Sequence, residues 1–122
     1  MKISPPTKIY LNDSPLHNLG VFSSQPIKKG EVIDVCPFLS FPQGSQEKIP
    51  VFSNYTFCFP RSENWNEHAL VLGYGSYYNH SETPNVDWYT NNEERTFIYF
   101  ALQDINVNEE LLINYGNGSV FE

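Results

Sequence analysis

The side chains best suited to chemistry fall into two short segments. Asn79-His80-Ser81-Glu82-Thr83-Pro84-Asn85 is dense in hydrogen-bonding groups. Asn and Ser side chains bond to nearby backbone and proline fixes φ, so this segment reads as a polar turn between Tyr77-Tyr78 and a following strand. The second segment, Glu109-Glu110-Leu111-Leu112-Ile113-Asn114-Tyr115-Gly116, places two carboxylates before an apolar run that ends in a phenol. Several chemistries find no support. His17, His68 and His80 have no Cys or carboxylate partners at metal-ligand spacing. Gly75-Ser76 lacks the Gly-x-Ser-x-Gly pattern of a hydrolase nucleophile. Cys36 and Cys58 are too few for a disulfide framework, have no metal spacing, and read as small core residues.

The elements that must position these segments are short. Proline and glycine punctuate the chain, and the runs between them are rich in β-branched and aromatic residues. Strands are expected at residues 8–11, 20–23, 31–36, 51–59, 86–89, 96–101 and 111–114. Within 51–59, Tyr55, Phe57 and Phe59 share one face, while Asn54, Thr56 and Cys58 share the other. Within 96–101, Phe97, Tyr99 and Ala101 oppose Ile98 and Phe100, which implies burial on both faces. One brief helix is expected at 66–72, capped by Asn66 and stopped by Gly73. Residues 41–50, with two prolines and a glycine, read as a mobile surface loop. Two phrases, Ile27-Lys28-Lys29-Gly30-Glu31 and Ile105-Asn106-Val107-Asn108-Glu109, share one plan of isoleucine, polar turn, glutamate and re-entry into a strand.

The chain has 122 residues and a formal net charge of −7. One domain with one core fits that length. The charge argues against direct binding of duplex nucleic acid, which needs a Lys/Arg surface, and favours a basic ligand as much as plain solubility. No apolar run could span a bilayer, and the first residues lack the apolar stretch of a signal peptide, so a soluble intracellular protein is expected, with no membrane partner.

Taken together, the two segments resemble the paired signatures of SET-domain lysine methyltransferases: Asn-His-Ser-x-x-Pro-Asn, then some 30 residues later Gly-Glu-Glu-Leu, two variable positions and Asp/Asn-Tyr-Gly. Gly20-Val21-Phe22 with the Ile27–Glu31 phrase is similar to the family's N-terminal segment. Asn54-Tyr55-Thr56-Phe57 is similar to its central strand, and residues 72–78 resemble the approach to the Asn-His-Ser turn in very small stand-alone members. The resemblance spans residues 16–116, leaving a tail at 117–122. It implies a mostly β fold of small sheets around a C-terminal pseudoknot, with residues 79–85 laid against residues 111–116.

It also implies a reaction: transfer of a methyl group from S-adenosyl-L-methionine to the side-chain amine of a lysine in a basic protein, for instance a histone-like tail. Free lysine is neutral in only on the order of one molecule in two thousand at neutral pH, so an apolar, aromatic channel that disfavours the ammonium is required. By resemblance Tyr115 is the catalytic tyrosine and Tyr55 assists it. Tyr55, Tyr74, Trp88, Ile113 and Tyr115 would line the channel. Asn18, Leu19, Gly20, Tyr78, Asn79, His80, Tyr115 and Phe121 would hold the cofactor. No metal is implied. Ile113 carries no hydroxyl to order a water at the channel end, which favours more than one methyl transfer.

The chain departs from the family pattern at three places. Asn18 stands where the first glycine of Gly-x-Gly is usual, and Asn108 replaces the glycine before Glu109; asparagine tolerates positive φ at both. No cysteine-rich segment follows Gly116 in this sequence, so residues 117–122, the substrate or a second copy would close the site, and a homodimer is expected by analogy with other very small members. A silent module of the same fold, binding lysine peptides without the cofactor, is the competing expectation.

Overall fold

The computed structural model describes residues 2–43 and 56–117. Ten strands run through them: β1 (Ile9–Asp13), β2 (Leu19–Ser23), β3 (Val32–Cys36), β4 (Phe38–Pro42), β5 (Phe57–Phe59), β6 (Glu67–Val71), β7 (Asn79–His80), β8 (Val86–Asn91), β9 (Thr96–Ala101) and β10 (Glu110–Ile113). They form three small sheets, ordered β1-β2-β10-β7, β3-β9-β8 and β4-β6-β5. A 3-10 turn at Tyr115–Asn117 follows β10. No helix among the described residues is long and apolar enough to cross a membrane.

The core is aromatic and lies where the sheets meet. Trp88, Phe97, Tyr99 and Tyr78 are fully buried, joined by Phe57, Phe59, Val21, Leu111 and Ile113. Trp88 stacks on Phe97 with ring centroids 5.1 Å apart, and Phe57 meets Trp88 edge-on at 5.3 Å. Phe57, Cys58 and Phe59 are all buried, so β5 is enclosed on both faces. In β9 the Phe97, Tyr99 and Ala101 face is sealed, whereas Ile98 and Phe100 are only half-buried. Cys36 and Cys58 are both free and buried.

The expected helix at 66–72 is instead strand β6. It is the central strand of its sheet, pairing with β4 through Phe38↔Val71 to Pro42↔Glu67 and with β5 through Phe57↔Ala69 to Phe59↔Glu67. Seven residues are too few for a helix to hold itself together, and ladders on both sides outweigh weak local propensity. The stop at Gly73 survives, with φ of 67°. Strand β4 also takes Phe41 and Pro42 from the expected loop; Pro42 is tolerated because β4 is an edge strand. Residues 44–50 of that loop, and 51–55 of the expected fourth strand, lie outside the described residues.

The two similar phrases are structural counterparts. Ile27 and Ile105 pair across an antiparallel bridge, exchanging backbone hydrogen bonds of 3.0 and 2.8 Å, and both side chains are buried. Each turn passes through a left-handed residue, Gly30 at φ 85° and Asn108 at φ 65°. Each then closes on its glutamate: the Lys28 N–H donates to Glu31 Oε1 at 3.3 Å, and the Asn106 N–H to Glu109 Oε1 at 3.2 Å. The second turn delivers the chain into β10, and thus into the segment that ends at Tyr115.

Candidate active site

Strand β10 is the axis of the site. On one side it pairs antiparallel with β2, through Glu110↔Phe22 and Leu111↔Val21; on the other it runs parallel to β7, through Leu112↔Asn79 and Ile113↔His80. Residues 79–85 thus lie against β10. Asn85 fastens the end of that turn: it is buried, Nδ2 donates to the Glu110 carbonyl at 2.9 Å and to Glu109 Oε2 at 3.1 Å, and Oδ1 accepts from the Leu112 N–H at 2.7 Å. A further bond joins the Ser81 N–H to the Ile113 carbonyl at 2.9 Å.

This packing aims Tyr115. Its backbone N–H donates to His80 Nδ1 at 2.9 Å, and the two rings lie 5.2 Å apart. Its hydroxyl donates to the Tyr78 carbonyl at 2.5 Å. Phe57 presents an edge to the Tyr115 ring at 6.5 Å. Burial, and then the Glu110 charge, raise the Tyr115 phenol above its ordinary value of 10.0, so it is neutral at physiological pH.

Of the residues expected to hold a cofactor, His80 and Tyr78 touch Tyr115, and Asn79 reaches the first loop. Asn79 is buried and its Nδ2 donates to Glu110 Oε2 at 2.9 Å, to the Leu19 carbonyl at 3.2 Å and to the His17 carbonyl at 3.4 Å. That side chain joins Asn18, Leu19 and Gly20 to the 79–85 turn. Asn18 adopts φ of 38°, the conformation that its replacement of glycine requires. Tyr78, by contrast, is 1% exposed and stacks on Tyr99 at 4.6 Å, so it offers the site its carbonyl and not a ring wall. Phe121 lies outside the described residues.

The expected channel is brought together only in part. Tyr115 and Tyr74 are partly buried against the core. Trp88 and Ile113 are 1% and 0% exposed and pack in the core. Trp88 is held between Phe97 and the Arg61 guanidinium, which lies 4.3 Å from its ring centre and also donates to Asp87 at 2.7 Å. The Ile113 backbone pairs with His80. Tyr55 lies outside the described residues. Phe57, Asn85 and Glu110 were given no individual role from the sequence, although all three stand inside the matching segments. No group of three or more His, Cys, Asp or Glu side chains arranged to hold a metal occurs among the described residues.

Comparison with known proteins agrees with this geometry. The SET domain matches residues 18–116. A histone-lysine N-methyltransferase of Schizosaccharomyces pombe, specific for H3 lysine-37, is 35% identical over 114 residues, which are 92% of this chain and 76% of that protein. A candidate histone methyltransferase of Plasmodium falciparum superposes with a TM-score of 0.69 at 35% identity, covering 93% of this chain and 96% of that one. A chain of the Chaetomium thermophilum Polycomb Repressive Complex 2, in a humanized mutant bound to the inhibitor GSK126, shares the fold with a TM-score of 0.79 at 20% identity, over 97% of this chain and 16% of that one. With these similarities running nearly end to end, and with the polar turn laid against the strand that leads to Tyr115, the chain belongs to the SET-domain family and is a protein-lysine methyltransferase.

Proposed function

We propose that the methyl donor is S-adenosyl-L-methionine and that the acceptor is a lysine in a basic protein, of which a histone tail is the leading candidate. The H3 specificity of the Schizosaccharomyces pombe relative and the net charge of −7 support that choice of substrate. The residues present fit the donor. Asn18, Leu19 and His80 are exposed beside buried Gly20 and Asn79, so polar and backbone groups of both segments are open to the donor. Asn18, Leu19, Gly20, Asn79 and His80 would hold it. When bound, it supplies an electrophilic methyl on a positively charged sulfur.

The protein's own contribution is orientation. Tyr115 is held at its backbone by His80 and at its hydroxyl by the Tyr78 carbonyl, two ties that fix its ring in one place. With its proton directed at that carbonyl, the hydroxyl oxygen acts on an incoming amine as an acceptor and points the amine lone pair along the line of attack. A phenol kept neutral by burial is a poor base, so positioning and electrostatics, not proton abstraction by Tyr115, carry its part of the reaction. The Phe57 edge screens one side of the Tyr115 ring from water and helps disfavour the charged ammonium. Tyr74 lines the channel beside Tyr115, and a second copy of the chain closes the site.

The single observation that carries this reading is the double tie on Tyr115. Its test is incubation with labelled S-adenosyl-L-methionine and intact histones, followed by mass spectrometry of the lysines. Label on lysine that disappears with Tyr115→Phe is the expected result. Absence of incorporation into any basic protein, with no cofactor binding by calorimetry, overturns it. Light scattering of the purified chain tests the dimer.

A further inference from the structure

We propose that Ser14 and Glu110 form a clamp that fixes residues 14–20 against Asn79 and thereby sets the affinity for the methyl donor, which makes both positioning residues. The inference rests on the reading of residues 18–20 as part of the cofactor site.

Three observations converge on it. First, Ser14 Oγ lies 2.9 Å from each oxygen of the Glu110 carboxylate, across 96 positions of sequence, and Asn79 Nδ2 donates to the same carboxylate at 2.9 Å. Glu110 therefore joins a residue of the first loop to a residue of the 79–85 turn. A hydrogen bond to a charged acceptor is stronger than one between neutral groups. Second, Ser14 organises the loop behind it: Oγ accepts from the Leu16 N–H at 3.0 Å, and the Ser14 N–H donates to the Asn18 carbonyl at 2.7 Å. Pro15 biases Ser14 toward extended backbone, which restricts the arc through which its side chain can swing.

Third, side-chain burial does little to hold this loop at residues 15–19, and the β1–β2 ladder reaches only Leu19 and Gly20. Pro15, Leu16, His17, Asn18 and Leu19 are all exposed, with Leu16 at 58% and Leu19 at 39%. Burial contributes little to its position, so polar ties decide it. The carboxylate reaches Ser14 and Asn79 only because it passes over Gly20, where a Cβ would meet Glu110 Oε2 at 2.3 Å and Asn79 Nδ2 at 3.0 Å. The absence of a side chain at Gly20 and the presence of a carboxylate at Glu110 are two halves of one arrangement. The same carboxylate also acts on Tyr115 through its charge, which places loop and tyrosine under one group.

The test compares wild type, Ser14→Ala, Ser14→Thr and Glu110→Gln by calorimetry with S-adenosyl-L-methionine, by steady-state kinetics on histones, and by amide exchange over residues 16–20. Ser14→Ala is expected to weaken cofactor binding about 10-fold, the value of one hydrogen bond to a charged group, and to raise KM to match. Its kcat at saturating cofactor should hold within about twofold, since Ser14 lies away from the reacting atoms. Ser14→Thr should restore binding, because it keeps the hydroxyl. Glu110→Gln should weaken binding at least as much, because the amide nitrogen it introduces faces other donors. Unchanged affinity and unchanged exchange in Ser14→Ala would overturn the clamp, as would a fall in kcat with affinity intact. If wild type binds no cofactor, the reading of the site fails and the affinity claim with it. The clamp itself is then decided by exchange alone: faster exchange at residues 16–20 in Ser14→Ala upholds it, and equal exchange overturns it.

Discussion

Asn85 and Leu112 exchange hydrogen bonds in both directions. The Leu112 N–H donates to the Asn85 side-chain Oδ1 at 2.7 Å, and the Asn85 N–H donates to the Leu112 carbonyl at 3.2 Å. With Nδ2 on the Glu110 carbonyl at 2.9 Å, the side chain does for β10 what a short neighbouring strand would do. This matters because β7 covers β10 for only two residues. Asn85 adds to that cover at Leu112 and at the Glu110 carbonyl.

Asn85→Ala removes the side-chain bonds, keeps the Asn85 N–H on the Leu112 carbonyl, and leaves the part-buried Leu112 N–H and Glu110 carbonyl short of partners. The expected cost is about 2–4 kcal/mol. Thermal unfolding should fall by roughly 6–15 °C, and methyl transfer should fall with it because Tyr115 follows directly from β10. Asn85→Asp keeps Oδ1 but sets a second charge beside Glu109, whose Oε2 is 3.1 Å from Nδ2, and should be no milder. A melting temperature within about 2 °C of wild type for Asn85→Ala would show that the strand is held by other means.

Tyr115 and His80 should separate chemistry from folding. Tyr115→Phe keeps the ring against Phe57 and loses only the hydroxyl, so kcat should fall on the order of 100-fold or more with little change in melting temperature. His80→Ala frees the Tyr115 backbone but leaves its hydroxyl on the Tyr78 carbonyl, and should cost about 10-fold in kcat. The phenol's raised pKa adds a constraint on pH. Ionisation of Tyr115 should not enter the rate profile until above pH 10, and a tyrosine titration governing the rate below that value would contradict the neutral-phenol role. The sign for stability follows: a tyrosine whose folded value exceeds its unfolded one contributes fully below about pH 10 and loses that contribution as pH rises through the folded value.

Much of this site was legible because its chemistry is local in sequence. Residues 79–85 and 109–116 each carry a motif of their own, and the resemblance those motifs carry implies the contact that the structure makes. The repeated Ile-turn-Glu phrase was visible for the same reason. What was hidden depends on distant partners. Residues 66–72 have weak helical character of their own, and only β4 and β5 on either side make them a strand. Trp88 and Tyr78 have the size and polarity expected of a binding wall, and nothing in their neighbours in sequence tells that Phe97 and Tyr99 cover them. Ser14 is an unremarkable turn serine until Glu110, 96 positions later, is brought beside it.

The bulge in β3 supplies a last prediction. The register shifts between Val32 and Asp34, so that Ile33 and Asp34 are both buried where strict alternation would bury one. Asp34 is 5% exposed and lies 3.5 Å from the Tyr78 hydroxyl, which donates to it. Burial raises its carboxyl above the ordinary 3.8, despite hydrogen bonds from Cys36 and Tyr78 that pull the other way. An acid raised in this way stabilises the fold below its unfolded pKa, and that contribution is lost as pH climbs through the folded value. The ionised carboxylate is therefore a burden at neutral pH. Asp34→Asn keeps an acceptor for Tyr78 and, like the protonated acid, carries no charge. It should raise the melting temperature at pH 7 by a few degrees, on the order of that produced by 1 kcal/mol or less, and the advantage over wild type should shrink toward zero near pH 3. Melting curves of the two proteins across that range check the sign. A gain that is equal at both ends, or a loss at pH 7, would mean that Asp34 is held ionised by its partners and that the bulge serves to place a charge beneath Tyr78.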